Sequence, residues 1–262
     1  MVHFMADTKA LVIVEGEKAE PALLNRFQAL FPIDITVCPL GTNIYSLFRK
    51  MKDYDFNADV RQVILEIKPL LREKLSGKYA YTYLLFDLDP HHTGKVDSRS
   101  PLKIALDNIE KVREMAEYFT NETDPTVGRL YINYPMFESI RDCDLPFDES
   151  YRDAYVEIGA TGEFKQIVAS RGRTKIAIKA YTIEEFRLLT KMNLYKLNQL
   201  SYGEWASMSY NRYLNCSMPA TILKHQSDLI QREQRLSVLH TSLFMLLDYF
   251  GNRNGFYDGI IK

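Results

Sequence analysis

Short apolar runs alternate with amphipathic stretches through the first half of the chain. The runs typical of strands cover residues 10–14, 33–37, 79–86 and 130–133. Apolar residues recur at helical spacing over residues 21–27, 44–51, 60–75 and 101–119, which predicts helices there. Because strands that alternate with helices usually pair in parallel, the pattern predicts an α/β fold with a mainly parallel, twisted sheet flanked by helices.

The pattern changes after about residue 145. The stretch 144–148 is a predicted boundary, and residues 183–200 and 220–250 are predicted to be helical. The sequence therefore predicts an α/β domain over residues 1–145 and a mainly helical C-terminal region over residues 146–262. The apolar density from Leu236 to Phe250 exceeds what one face of a surface helix needs, so these residues are expected to pack against the first domain or a second subunit. A homodimer is one prediction from this density.

Composition narrows the class of protein. The chain has 262 residues and a net charge of −1, so any binding to nucleic acid has to come from a local basic patch. Its three cysteines are widely spaced, which favours reduced thiols over disulfides or a zinc site. The N-terminal residues lack the pattern of a signal peptide, and no apolar stretch is long enough to span a bilayer. We therefore expect a cytoplasmic protein without a membrane partner.

Carboxylates follow two of the predicted strands. Glu15 comes directly after the first run, and Asp87 and Asp89 come directly after the third. The carboxyl ends of parallel strands form the edge where ligands bind in α/β sheets, and carboxylate oxygens suit Mg²⁺ or Mn²⁺. The three acids are thus candidate metal ligands, with Gly16 allowing a sharp turn after Glu15. Taken singly, each motif is equally typical of helix-start or turn chemistry.

Further candidate residues follow the third and fourth strands. Glu138 lies in the string Asn-Tyr-Pro-Met-Phe-Glu-Ser, where it is either part of the acidic site or a surface glutamate. His91 and His92 adjoin the acidic pair and either contact a phosphate or are simply exposed. A local basic patch contains five basic residues and no acid. It comprises Lys165, Arg171, Arg173, Lys175 and Lys179. This patch is a candidate for phosphate contacts, or else a solvated face.

These motifs together resemble the Toprim domain over roughly residues 9–142. The strings Val-Glu-Gly-Glu-Lys-Ala-Glu and Leu-Gly-Thr-Asn, with the later Pro-Met-Phe-Glu, are similar to the RloB-like and AriB-like Toprim proteins of bacterial anti-phage defence. OLD-type Toprim nucleases often place a second acid where this chain has Ala19. Glu20 lies one residue further on, so its helical phase speaks against a metal role.

The resemblance implies a metal-dependent nuclease. Glu15, Asp87 and Asp89 would hold Mg²⁺ or Mn²⁺, and Glu138 would complete the catalytic set. The nucleic acid, DNA or RNA, would be bound by Lys165, Arg171, Arg173 and Lys175. The resemblance also leaves open a catalytically silent sensor or partner subunit of an ATPase-containing defence complex. A third alternative is a phosphohydrolase that acts on a small nucleotide.

Overall fold

A computed structural model describes residues 9–93, 97–171 and 177–262 of the chain. The four strands predicted over residues 10–14, 33–37, 79–86 and 130–133 each end within two residues of the predicted end, whereas a two-residue strand at Thr120–Asn121 was not predicted. The strands are β1 Ala10–Val14, β2 Ile35–Pro39, β3 Tyr81–Asp87, β4 Thr120–Asn121, β5 Gly128–Tyr134, β6 Tyr155–Glu157, β7 Arg235–Ser237 and β8 Leu239–His240.

Helices connect and cover these strands. The α-helices are α1 Ala19–Leu30, α2 Ile44–Asp53, α3 Val60–Ile67, α4 Arg72–Leu75, α5 Pro101–Tyr118, α6 Phe164–Arg171, α7 Ile183–Tyr202, α8 Tyr210–Cys216, α9 Pro219–Glu233, α10 Phe244–Phe250 and α11 Phe256–Ile261. Short 3₁₀ turns lie at Pro69–Leu71, Phe137–Arg141, Glu149–Asp153, Ile158–Glu163, Ile178–Ala180, Thr241–Leu243 and Arg253–Gly255. The predicted helix over 60–75 is divided at Pro69, which has no backbone N–H to continue it.

The main sheet has the strand order β2-β1-β3-β5-β4. β2, β1, β3 and β5 pair in parallel, whereas β4 and β8 pair antiparallel with the beginning and the end of β5. Every residue of β1 and β5 is buried, as expected for central strands covered on both faces. The predicted α/β class is confirmed as a mixed sheet of mostly parallel strands flanked by helices; the narrower likeness to the Toprim domain stays a prediction.

The stretch 220–250 differs from the predicted helix. α9 ends at Glu233, and β7 and β8 occupy part of the interval before α10. β7 pairs with β6 in a second, two-stranded sheet, and β8 joins the main sheet beside β5. These strands are only two or three residues long and depend on partners far away in the sequence, so local periodicity does not reveal them.

The apolar residues of the C-terminal region lie inside the chain's own core. The apolar residues that the sequence predicts to be packed against another part of the protein are all buried: Leu236, Val238, Leu239, Leu243, Phe244, Leu246, Leu247, Tyr249 and Phe250. They belong to the same hydrophobic cluster as β1 and β3. The C-terminal apolar residues therefore pack against the first domain, which is one of the two expected alternatives. The homodimer stays a prediction, but the apolar density no longer supports it.

Two further features concern the class of protein. Cys38, Cys143 and Cys216 are free and buried. Across residues 9–93, 97–171 and 177–262, no helix is both long enough and apolar enough to cross a membrane.

Candidate active site

Three neighbouring parallel strands end at one edge of the sheet and bring the candidate acids together. In the strand register, Val14 lies beside Leu85, and Asp87 lies beside Asn133. The backbone N–H of Glu15 continues the ladder by donating to the carbonyl of Leu85 over 3.1 Å. The end of β1, the end of β3 and the end of β5 therefore meet at the edge that the sequence predicts for a ligand.

Glu15 and Asp87 are in direct contact. One carboxylate oxygen of Glu15 accepts a hydrogen bond from the backbone N–H of Asp87 over 3.2 Å. Burial raises the pKa of Glu15 to about 8, and the nearby charges of Asp89 and Glu20 act in the same direction. Burial also raises the pKa of Asp87 well above its usual range, with Glu15 and Asp89 as the next causes. The two carboxyls thus share a site whose negative charge is offset only in part, by Lys165.

Asp89 lies on the turn that leaves β3. Its φ of 40° is in the left-handed region, which aspartate tolerates better than most residues. Its backbone N–H donates to the carbonyl of Pro135 over 3.0 Å, so the turns after β3 and β5 are fastened together. Burial raises the pKa of Asp89, and the nearby His91 and Lys165 oppose this shift. His91 therefore lies close enough to the acidic edge to act on its charge.

Glu20 lies with the same group of acids, although its helical phase in the sequence speaks against a metal role. It is buried, and its Oε1 accepts a hydrogen bond from the backbone N–H of Gly16 over 3.1 Å. Burial raises the pKa of Glu20, and the nearby carboxylate of Glu138 adds to this. A methyl group on Gly16 would approach Glu20 Oε2 to 2.4 Å. Gly16 thus makes room for a carboxylate, and its φ is not in the left-handed region that would demand glycine.

Glu138 and Lys165 complete the site from the other side. The Nζ of Lys165 lies 3.4 Å from Glu138 Oε1. Glu138 Oε2 is buried and has no hydrogen-bond partner within the described part of the chain. The carboxylates of Glu138, Asp87 and Asp89 raise the pKa of Lys165, although most of its side chain is exposed. We call Glu15, Glu20, Asp87, Asp89 and Glu138 the acidic cluster, which Lys165 neutralises only in part.

The basic patch is only partly available for nucleic acid. Arg171 places its guanidinium against both carboxylate oxygens of Asp142, which is fully buried. Arg171 therefore has a structural partner already, whereas Lys165 faces the acidic cluster. Arg173 and Lys175 lie outside the described residues.

The acidic cluster fits a hard divalent cation in its chemistry. All of the atoms that it offers to a metal ion are carboxylate oxygens. One of them, Glu138 Oε2, has no hydrogen-bond partner in the described part of the chain. Within residues 9–93, 97–171 and 177–262, however, no three His, Cys, Asp or Glu side chains have an arrangement that could hold a metal ion as it stands. Glu15 and Glu20 instead accept from backbone N–H groups. A cation would have to draw the carboxylates together by side-chain rotation.

Asn133 is a member of the site that the sequence analysis did not single out. It is fully buried at the end of β5, and its Nδ2 donates to Asp87 Oδ1 over 3.2 Å. A polar residue after the apolar run 130–132 was the available signal, and it is the same signal that marks Asp87.

Comparison of the whole chain with protein-family models, with curated proteins and with solved structures finds no match. The argument for function therefore depends on the chemistry of the acidic cluster itself.

Proposed function

We propose that this chain is a metal-dependent phosphodiesterase that hydrolyses nucleic acid. The observation that carries the proposal is the convergence of the acidic cluster, with Lys165 beside it, at the carboxyl ends of β1, β3 and β5. Several buried carboxylates that raise one another's pKa are costly to keep together. Such an arrangement is typical of functional sites, where a bound cation offsets the repulsion.

Each residue of the cluster has a role in this proposal. Glu15, Asp87 and Asp89 hold Mg²⁺ or Mn²⁺, which when bound supplies Lewis-acid polarisation of the phosphate and activation of water. Glu138 Oε2 is a free acceptor and takes the proton of the attacking water. Lys165 offsets negative charge on the phosphate, because its ammonium group is largely exposed beside the cluster. Bacterial anti-phage defence is the setting that the resemblance to Toprim proteins favours.

The alternative is a catalytically silent subunit that kept the fold, for instance as a sensor or as the partner of an ATPase. One observation favours it. The carboxylates of Glu15 and Glu20 already accept hydrogen bonds from the backbone, and Glu138 is close to Lys165, so the cluster has internal partners without a metal ion.

The test is cleavage by the purified chain. Supercoiled plasmid, single-stranded DNA and RNA are incubated with the protein and Mg²⁺ or Mn²⁺, and parallel samples contain excess chelator. We expect cleavage of at least one substrate, with a loss in chelator and in Asp87→Asn. The amide of this variant keeps the shape of the side chain but removes the charge that a cation needs.

Asp34→Asn is the matched control, because Asp34 is an exposed aspartate outside the cluster. It should cleave like the unaltered chain, and circular dichroism should show that Asp87→Asn is folded. Cleavage that persists in chelator or in Asp87→Asn would overturn the metal mechanism. Binding of Mg²⁺ without cleavage of any substrate would favour the silent subunit.

A further inference from the structure

A positively charged pocket lies next to the acidic cluster. It has a volume of about 210 Å³ and lies between α2, α5 and the turn after β3. We call it the Arg49 pocket and define it by the residues that matter here, which are Tyr45, Arg49, His92, Arg99, Asn108 and Lys111. The sequence analysis singled out none of these except His92.

The Arg49 pocket shares a wall with the acidic cluster. The hydroxyl of Tyr45 donates to the carbonyl of Leu88 and lies 3.3 Å from the carbonyl of Asp89. The ring of Tyr45 stacks on that of His92, with the ring centres 4.7 Å apart and the planes at 4°. His92 in turn donates its backbone N–H to the carbonyl of Asp89 over 2.9 Å. The turn that carries Asp89 on one side therefore carries His92 on the other.

Asn108 holds this wall in place from α5. Its Nδ2 donates to the carbonyls of Pro90 and His92 over 3.0 and 2.8 Å. Its Oδ1 accepts from the Nζ of Lys111 over 3.2 Å. One buried amide therefore fixes both the turn and the position of the lysine head group. The pocket is preorganised, which lowers the entropic cost of binding a ligand there.

Arg49 and Lys111 supply the spare positive charge. In the described part of the chain, neither has a carboxylate within ion-pair distance, and the guanidinium of Arg49 donates only to the hydroxyl of Ser46, over 3.0 Å. Arg99 differs, because it pairs with Asp107 and with Asp97, which is the one acidic side chain among the residues that line the described pocket. Lys111 is near enough to both aspartates to contribute to the lowering of their pKa without forming an ion pair.

The ligand that this chemistry favours is a phosphate group. A guanidinium from α2 and an ammonium group from α5 that line the same pocket match the oxygens of a phosphodiester, and the neighbouring histidine ring offers a further polar contact. A cavity of this size accommodates one phosphate with part of its sugar, not a duplex. The acidic cluster itself repels phosphate until a cation is bound, so a nearby cationic subsite supplies the binding energy that the cluster lacks.

We propose that the Arg49 pocket binds a backbone phosphate of the nucleic-acid strand whose neighbouring phosphate lies at the acidic cluster. The inference rests on the proposed function and names a second place where the protein holds the strand. Arg171, which the sequence analysis assigned to nucleic-acid binding, is paired with Asp142. In this proposal Arg49 and Lys111 make part of the phosphate contacts instead.

The test measures binding and cleavage separately. Fluorescence anisotropy of a labelled single-stranded DNA, and of the RNA of the same sequence, is recorded in chelator over a series of salt concentrations. The variants are Arg49→Gln, Lys111→Gln and the double variant. The matched controls are Lys52→Gln on α2 and Arg113→Gln on α5, whose side chains pair with Glu114 and Glu110 outside the pocket.

The double variant should bind at least one of the two strands about tenfold more weakly or worse, which is about 1.4 kcal/mol. Its log–log salt slope should fall by about 0.7, because the pocket binds one phosphate and each phosphate contact to a single strand contributes about 0.7. The controls should change neither quantity. An affinity and a slope that stay the same, or that fall equally in the controls, would overturn the proposal.

Two further readouts separate the possible failures. Competition with a free nucleoside monophosphate tests the source of the phosphate: if the variants weaken only the monophosphate, the pocket does not bind a strand and the inference is wrong. Cleavage in Mg²⁺ tests the proposed function. Weaker strand binding by the double variant with no cleavage by the unaltered chain would support the pocket and count against the nuclease. If the double variant binds the strand as tightly as the unaltered chain, and the unaltered chain cleaves in a metal-dependent way, the proposed function is supported and the proposed role of the Arg49 pocket is wrong.

Discussion

Asn133 donates a hydrogen bond from Nδ2 to Oδ1 of Asp87, and this contact ties the acidic cluster to the last part of the chain. The Oδ1 of Asn133 accepts from both the backbone N–H and the hydroxyl of Ser242, over 3.2 and 3.0 Å. Because both Ser242 groups donate, they fix which end of the amide faces Asp87. Ser242 lies two residues after the end of β8, which pairs with β5. The C-terminal region therefore helps to orient a carboxylate of the first half.

The first prediction concerns this amide. Asn133→Ala should weaken binding of Mg²⁺ or Mn²⁺ by roughly tenfold or more, which is the usual effect of removing a group that orients a metal ligand. Ser242→Ala should have a smaller effect in the same direction, because the backbone N–H still holds the amide. Isothermal titration calorimetry with each metal measures both. Asn57→Ala is the control, since Asn57 is exposed and far from the strand ends in sequence; affinities equal to this control in both variants would argue against an orienting role.

The ends of β1 and β3 could be predicted because their apolar runs stop at Glu15 and Asp87. β1 ends at Val14 as predicted, and β3 ends one residue later than predicted, at Asp87. The parallel pairing that follows from β-α alternation then places the ends of β1 and β3 at one edge of the sheet, whereas the structure is needed to show that the two strands are neighbours. For these residues, local pattern and topology agree.

Other parts of the site depend on contacts between distant residues. Glu20 folds its carboxylate back onto the N–H of Gly16, so the azimuth of its Cα on α1 is a poor guide to where its oxygens lie. Arg171 looks like one of several free cations until Asp142 is placed beside it. The two residues of β8 are too few to show any periodicity. Each of these features is decided by tertiary packing.

The second prediction concerns the stability of the metal-free protein. Burial and the neighbouring acids raise the pKa of Glu15 from 4.5 to about 8, so the folded state holds this proton more tightly than the unfolded state. The stability that the protonated form contributes is fully present below the unfolded pKa and is lost as the pH rises to about 8. The free energy of unfolding should therefore fall across this window, by an amount on the order of a few kcal/mol.

Urea denaturation in chelator, below and above the window, measures this fall. Asp89→Asn should make it smaller, because Asp89 is the nearby charge that most raises the pKa of Glu15. Mg²⁺ should restore stability at the alkaline end by binding only the folded state. A free energy of unfolding that is independent of pH in chelator would show that Glu15 is not buried in this way.

The third prediction separates Arg171 from Lys165. Arg171→Gln should destabilise the fold by roughly 1.5–3 kcal/mol, because it removes the charge-assisted hydrogen bonds of the guanidinium to the buried Asp142. Lys165→Gln should have little effect on stability, since 65% of its side chain is exposed, but it should weaken binding to nucleic acid. Both residues lie on α6, so the ion pair of Arg171 anchors the helix that presents Lys165.

Chemical denaturation and strand binding, measured on the same samples, check both halves of this prediction. Arg232→Gln is the control for charge, because Arg232 is largely exposed at the end of α9. Adding Asp142→Asn to Arg171→Gln should recover part of the lost stability, since it removes a buried charge that has lost the guanidinium of Arg171. If Arg171→Gln instead keeps full stability and lowers the salt slope of binding, the basic patch acts as a nucleic-acid surface throughout.

The fourth prediction concerns Lys196, which is fully buried in α7. Its Nζ donates to the carbonyl of Arg152 over 2.6 Å and lies 4.0 Å from the centre of the Tyr155 ring. Burial lowers the pKa of Lys196 from 10.5 to about 7. Between these values the unfolded state binds the proton and the folded state does not, so stability should rise with pH across this window.

Lys196→Met keeps the length of the apolar stem and removes the titrating amine, so it should abolish this rise. At neutral pH the variant should be as stable as the unaltered chain or more so, because it spares the cost of burying an amine that is partly charged there. Thermal denaturation at several pH values measures both effects, with Lys191→Met on the same helix as the control, whose amine reaches only the C-terminal residue. If stability still rises with pH in Lys196→Met, a titrating group other than Lys196 causes the rise. Loss of stability at neutral pH would instead mean that the ammonium form, held by the carbonyl and the tyrosine ring, stabilises the fold.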